Sequence, residues 1–281
     1  MAKRINKREH RPIEQIREHY EIEKELADRL KAASAAERTH LYASLYDELF
    51  RRVPHHPQLT RKISPEEQIE EVHRQMRFLL PFLSRETVLM EVGPGDCALA
   101  FEAAKLVKKV YGVDVSSEVT KSKTFPENFE LFLSDGSSIP LPPNSIDVVY
   151  SYHLMEHIHP DDAQKQLRNI YNVLVPGGLY VCVTPNRLNG PHDISRLFDR
   201  VAKGFHLKEY THRELARLFQ SIGFSKIKAF GRARGVYFRC PLSLISVCEQ
   251  GLSLIPYAVA KPLASTKILK SLLEIRLVGV K

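Results

Sequence analysis

The sequence predicts an α/β fold: a mostly parallel seven-stranded sheet with helices on both faces, preceded by an N-terminal helical segment. Three observations predict it. Short apolar runs recur from Val88 to the C-terminus. The stretches between them are long enough for crossover helices, which a parallel sheet covered on both faces requires. Glycines and carboxylates stand at the ends of the first runs, where an open α/β sheet binds its ligands. At 281 residues the chain has room for one large domain and an accessory segment.

The accessory segment comes first, over residues 1–63. Ile13, Ile16 and Tyr20, then Leu26 with Leu30 and Leu41 with Leu45, follow helical spacing from about Ile13 to Val53. Pro54 and Pro57 stop that pattern. Ser64-Pro65-Glu66-Glu67 starts a new helix, with Ser64 as cap, proline in the first turn and Glu67 closing a capping box. That helix should run to about Phe82 and open the main domain, 64–281.

The strand candidates are Val88–Val92, Lys109–Val113, Phe129–Leu133, Ile146–Ser151, Leu179–Thr184, Lys226–Phe230 and Leu273–Val280. The last can close the sheet antiparallel. Between the final two lies an apolar helical insertion over 241–272. Its most apolar tract, Cys240 to Ala260, is broken by Glu249, Gln250 and Pro256. It makes a poor transmembrane span but could lie on a membrane or cover a greasy pocket.

Composition sets further bounds. Hydrophobic residues at 43% and charged residues at 26% are ordinary for a soluble globular protein, and no repeat or low-complexity tract occurs. The formal net charge of +8 permits an anionic partner, although a solvated basic surface explains it as well. Part of the excess sits in the tail (Lys3, Arg4, Lys7, Arg8, Arg11). Cys97, Cys182, Cys240 and Cys248 form no Cys-x-x-Cys pair, which predicts reduced thiols and a cytoplasmic setting. The charged first residues, with no apolar core, predict no signal peptide.

The chemistry starts where Val88-Leu89-Met90-Glu91-Val92 runs into Gly93-Pro94-Gly95-Asp96-Cys97. Glycines at a strand end let the backbone turn tightly and approach a ligand. Asp114 ends the second run, at the distance expected for a carboxylate holding ribose hydroxyls. Gly93-x-Gly95-x-x-Ala98 satisfies the relaxed dinucleotide fingerprint, so NAD competes as ligand. Glu91 argues against it, because a carboxylate there repels a pyrophosphate and suits an ammonium.

In their order, these motifs resemble the class I S-adenosylmethionine-dependent methyltransferases. Glu91-x-Gly93-x-Gly95 is similar to that family's first motif and Asp114 to its ribose-binding acidic residue. Asp135-Gly136 resembles the motif beside adenine. Asp147 to Ser151, with Glu156-His157 after it, resembles the fourth motif, and Leu174-Val175-Pro176-Gly177-Gly178 the loop before strand five. The resemblance covers about Glu66 to the C-terminus. It implies a Rossmann-like fold, S-adenosyl-L-methionine as cofactor, and a cofactor site of Glu91, Gly93, Pro94, Gly95, Asp114, Val115, Asp135, Gly136 and Ser151. It also implies a helical cap over the cofactor from the segment before Ser64. Cys97 departs from it, standing where a third glycine is common.

Methyl transfer from a sulfonium is an in-line displacement, and a base is needed only if the acceptor must lose a proton. His153 and His157, just after strand four, are the best-placed bases. His192 and His206 come next, with Asp193 as an orienting carboxylate. The alternative for each is a structural or pocket-lining histidine, which is the commoner role. Glu156, His157 and His159 could bind a divalent metal, but adjacent residues rarely converge, so no metal is expected. His55-His56 should be exposed. Tyr42 and Tyr46 are core or lid residues, and Arg232 and Arg234 grip an anion or form a solvated turn.

Ser151-Tyr152-His153-Leu154 replaces the Pro-Pro-aromatic element of base-flipping amino methyltransferases, which disfavours nucleic acid. The expected acceptor is a small molecule, saccharide or lipid-like compound, with a hydroxyl oxygen first. A C- or N-methyltransferase on a quinone or lipid precursor, and a non-catalytic cofactor-binding module, remain open. Peripheral membrane contact is compatible with each.

Overall fold

The structure, a computed structural model, describes residues 11–60, 64–116 and 124–281; the basic tail up to residue 10 lies outside them. Helices α1 (Ile13–Ala32) and α2 (Ala35–Arg52) replace the single helical stretch expected over 13–53. The break has a local cause. Ser34 and Glu37 form a capping box, each side chain bonding the other's backbone N–H, while Ala33 is extended. A short α3 (Pro57–Thr60) follows. Helix α4 (Pro65–Leu79) has the predicted cap and first-turn proline, Ser64 accepting from the Glu67 N–H at 3.2 Å; the expected capping box is present in this half alone, and a 3-10 turn carries the chain on to Phe82.

The sheet has eight strands: β1 (Val88–Val92), β2 (Lys109–Asp114), β3 (Phe129–Leu133), β4 (Ile146–Tyr152), β5 (Leu174–Thr184), β6 (Lys226–Ala233), β7 (Val236–Cys240) and β8 (Ile275–Val280). Their order is β3-β2-β1-β4-β5-β8-β6-β7. Strands β1 to β5 pair in parallel, and β8 inserts antiparallel between β5 and β6. The eighth strand, β7, corrects the expected seven. Ala233 pairs with Val236, so Arg234 and Gly235 alone make the connection. Both have positive φ, 48° and 85°, as a two-residue hairpin turn needs. The expected turn at Arg232–Gly235 is thus the tip of an edge hairpin.

Alternate residues of each strand face opposite sides, and the sheet is covered on both. Leu89, Val110, Val148 and Tyr150 pack on α4 and on α5 (Ala98–Ala104). Met90, Val149, Tyr180 and Cys182 pack on α2, α6 (Pro160–Val173) and α7 (His212–Ile222). Helices α8 (Leu242–Leu254), α9 (Tyr257–Ala264) and α10 (Lys267–Leu273) fill the predicted insertion. No described helix is long and apolar enough to cross a membrane.

Strand order reverses at β1, whose neighbours are β2 and β4. A crevice must open there, beyond the strands' carboxyl ends.

Candidate functional site

The loop after β1 lies in that crevice. Gly93 and Gly95 hold φ of 70° and 54°, and a Cβ on Gly95 would meet nothing within 4 Å, so a ligand can rest on bare backbone. Cys97, in place of the third glycine, adopts a left-handed φ of 59° and starts α5. Asp114 ends β2 and ties down both loops. It accepts from the N–H of Gly95 at 3.1 Å, Val115 at 2.7 Å and Ser116 at 3.2 Å. Burial raises its pKa against these donors.

A cavity of about 440 Å³ opens above this loop, with α2 as its roof. Gly93, Gly95, Asp114, Val115, Gly136 and His157 are on its walls, opposite Tyr42, Tyr46 and Phe50. Helix α2 is clamped down rather than loosely laid on. Arg38 makes a bidentate pair with Asp162 of α6, at 2.6 and 2.8 Å, both side chains buried. The Tyr42 hydroxyl donates to the same carboxylate at 2.7 Å and accepts from the His159 N–H at 3.0 Å.

Gln166, from α6, donates to the Gly136 carbonyl at 2.9 Å, which fixes its amide orientation. Its Oε1 is buried without a partner among the described residues, on the cavity wall. Asp135, expected at an adenine edge, is bonded within its own loop. Its Oδ1 accepts from Ser137 and Ser138 N–H at 2.9 and 2.6 Å, and these donors outweigh burial and hold the carboxyl well below its ordinary pKa. Ser151 is fully buried, 2.8 Å from the Tyr180 hydroxyl, and borders neither this cavity nor its neighbours.

Glu91 and Pro94 face a second cleft of about 670 Å³, between the glycine loop and α4, with Arg74, Tyr152 and Arg232 around it. Gly93 borders both spaces. Glu91 is buried, its Oε2 has no partner among the described residues, and burial with nearby Asp96 and Asp114 pushes its pKa up to about 8. A buried carboxyl so placed is poised to ionise for a cation.

The two histidines after β4 separate. His153, at φ 52°, sets Nδ1 3.3 Å from Glu156 Oε1 and Nε2 3.9 Å from Glu274, and lines none of the three cavities. His157 stands on the wall shared with a third cavity, of about 280 Å³. Its Nδ1 lies 3.1 Å from both the Phe205 carbonyl and the Tyr46 hydroxyl. A proton donated to that carbonyl leaves Nε2 with its lone pair. Burial pushes His157 down to about 4, so the ring is neutral at pH 7.

Glu156 is fully buried. Burial opposes its ionisation, but His153, His157 and His206 bring its pKa down to about 2. Its Oε2 accepts from Thr184 at 2.8 Å, whereas Oε1 is close to His153 yet outside hydrogen-bond geometry.

The third cavity is rich in histidine: His19, His56, His192 and His206 join His157 there, with Glu23 and Asp193. Two trios bring donor atoms within 4.8 Å, Glu156-His157-His206 and His19-Glu23-His56, and either set could hold a divalent cation. His206 thus replaces the His159 of the sequence reading, because His159 caps α6. His206 is oriented by Glu209 at 2.8 Å, not by Asp193, which caps the turn at Ser195. His56, expected exposed, is buried edge-on against His19 and Phe50. Gln166 escaped sequence reasoning. A signal existed: it is a polar residue inside the apolar stripe Ala163-Leu167-Ile170.

Residues 90–182 match a family model described as a methyltransferase domain. A Mycolicibacterium smegmatis protein named "Probable S-adenosylmethionine-dependent methyltransferase" is 27% identical over 148 residues, 52% of this chain and 55% of its own length. The Danio rerio tRNA N(3)-cytidine methyltransferase METTL2 is 28% identical over 174 residues, 53% of this chain and 48% of its own. The chain spans about half the length of these relatives. A SAM dependent methyltransferase from Archaeoglobus fulgidus superposes with a TM-score of 0.51 at 17% identity, over 85% of this chain and all of that one, a likeness of fold.

Proposed function

We propose that this chain, which carries a class I S-adenosylmethionine-dependent methyltransferase domain, transfers the methyl group to a hydroxyl oxygen of a small, saccharide or lipid-like acceptor. The cofactor supplies an electrophilic methyl group on a sulfonium. The residues present fit it. Asp114 suits the ribose hydroxyls, and the orphaned Gln166 Oε1 suits the adenine amino group. The orphaned Glu91 Oε2 suits the ammonium, beyond the open backbone of Gly93 and Gly95.

One observation carries the acceptor reading: His157 is shared by the cavity under α2 and the histidine-rich cavity beside it. A neutral imidazole with a free Nε2 can take a hydroxyl proton as the methyl group arrives. The ionised Glu156 next to it would stabilise the imidazolium. Tyr46 and Phe205, on the same wall, keep bulk water from the meeting point. His153, outside both cavities, would hold Glu156 rather than touch the acceptor. A cytoplasmic setting goes with this reading, since all four cysteines are free.

The test is transfer of labelled methyl from S-adenosylmethionine to panels of hydroxylated small molecules, glycolipids, amines and tRNA. Product on a hydroxyl, with His157→Gln lowering kcat by roughly a hundredfold at unchanged cofactor affinity, supports the assignment. Transfer to tRNA or to amines alone would overturn it.

A further inference from the structure

The insertion between β7 and β8 bears two apolar sides, and among the described residues only one of them is covered. Helix α8 buries Ile245 and Leu252, and its rotation is pinned by Glu249 on that same side. The Glu249 carboxylate accepts from the His212 N–H at 2.9 Å and from Asn186 at 2.6 Å. The opposite side is then fixed facing outward, and it is apolar too: Leu244, Val247, Gly251 and Leu254 recur at helical spacing. Leu254 is 85% exposed, and a Cβ on Gly251 would meet open space. Val259 and Leu263 on α9, and Ile268 on α10 (76%), are exposed as well. Ser243, Gln250 and Ser253 are exposed beside this apolar row, and an exposed row of large aliphatic side chains of this kind marks a contact surface.

Charge distinguishes the possible covers. Glu249 is the only acid between residues 241 and 273, and it is buried. Lys267 and Lys270 are exposed on α10, beside Ile268. Exposed leucine, valine and isoleucine rimmed by lysine, with no exposed acid, match the boundary of an anionic bilayer. With 13 residues α8 is about 20 Å long, short of a bilayer core, so it can lie on the surface but not cross it.

We propose that α8, α9 and α10 form a docking face for an anionic lipid membrane, on which the chain rests without spanning it. The apolar side chains enter the acyl boundary and the two lysines pair with headgroups. This surface is separate from the cofactor pocket and does not depend on the methyl-transfer reading.

The experiment uses the full chain and vesicles of phosphatidylcholine, pure or with about a third phosphatidylglycerol. Cys248 lies among the outward-facing residues, while the other three cysteines are buried, so an environment-sensitive dye can be attached there. The expected result is co-sedimentation and a blue-shifted dye signal with the anionic vesicles, both weakened by salt. Lys267→Glu with Lys270→Glu should weaken binding on the order of tenfold or more. Leu254→Asp with Ile268→Asp should do so on the order of a hundredfold. Cofactor binding, measured in parallel, should stay unchanged in both variants and reports that they are folded. No vesicle binding, or a dimer that Leu254→Asp with Ile268→Asp dissolves and vesicles do not compete with, would overturn the proposal.

Discussion

Helices α1–α2 and helices α8–α10 are both additions to the same sheet, and they are secured in opposite ways. The N-terminal pair is locked by buried polar contacts. Arg38 and Tyr42 meet on Asp162, and Glu23 accepts from the Phe205 N–H at 2.9 Å while bonding His19 at 2.8 Å. Such contacts hold only in one geometry, which is what a pocket roof requires. The C-terminal trio is pinned on its inner side by Glu249 and left apolar outside. Apolar contact is tolerant of geometry and suits a fluid partner. The difference teaches that the first addition belongs to the site and the second to a surface.

The largest expected effect falls on the roof. Arg38→Ala leaves Asp162 buried without its cation, so it should cost about 3–5 kcal/mol. Thermal denaturation should show it, and cofactor binding should fall with it as α2 loosens. A small loss in melting temperature with full cofactor affinity would mean that α2 is not held this way.

Next is the pH dependence of the cofactor-free protein. Glu91 titrates near 8 when folded, against an ordinary value of 4.5. Between these values the folded state keeps a proton that the unfolded state has lost. Stability should therefore fall as pH rises from about 5 to about 8. Glu91→Gln should flatten that slope in a pH series of melting curves. An unchanged slope would place the titration elsewhere.

The smallest effect belongs to the C-terminal trio. Leu254→Ser removes an exposed side chain and should change stability by about 0.5 kcal/mol or less. A loss of several kcal/mol would mean that Leu254 packs within the fold, and the contrast between the two regions would collapse.

Much of this molecule was legible beforehand, for physical reasons. Buried parallel strands must be apolar runs, and β1, β2 and β4 read that way. The glycines and Asp114 announced the crevice because backbone approach has few substitutes. Strand β7 did not read, because it is a short edge strand with Val236, Phe238 and Arg239 all exposed and no one-sided apolar pattern. The bonds from Asp135 to the Ser137 and Ser138 N–H groups follow the usual habit of an aspartate at a turn, which a motif match does not weigh. Gln166 and the Glu156-His157-His206 group depend on convergence of α6, the loop after β4 and the chain near Phe205, which no local spacing encodes. The break at Ser34 has a local signal, Ser34-x-x-Glu37, which the apolar spacing from Ile13 to Val53 does not contain.

The central claim is that the pocket between the glycine loop and α2 holds S-adenosylmethionine through Asp114 and Gln166. Calorimetric titration of the intact chain with S-adenosylmethionine, its demethylated product and NAD tests it most directly. The account predicts binding of the first two and not of NAD. Asp114→Ala should weaken it about tenfold to a hundredfold, and Gln166→Ala roughly fivefold. Binding of NAD alone, or S-adenosylmethionine affinity indifferent to both substitutions, would contradict it.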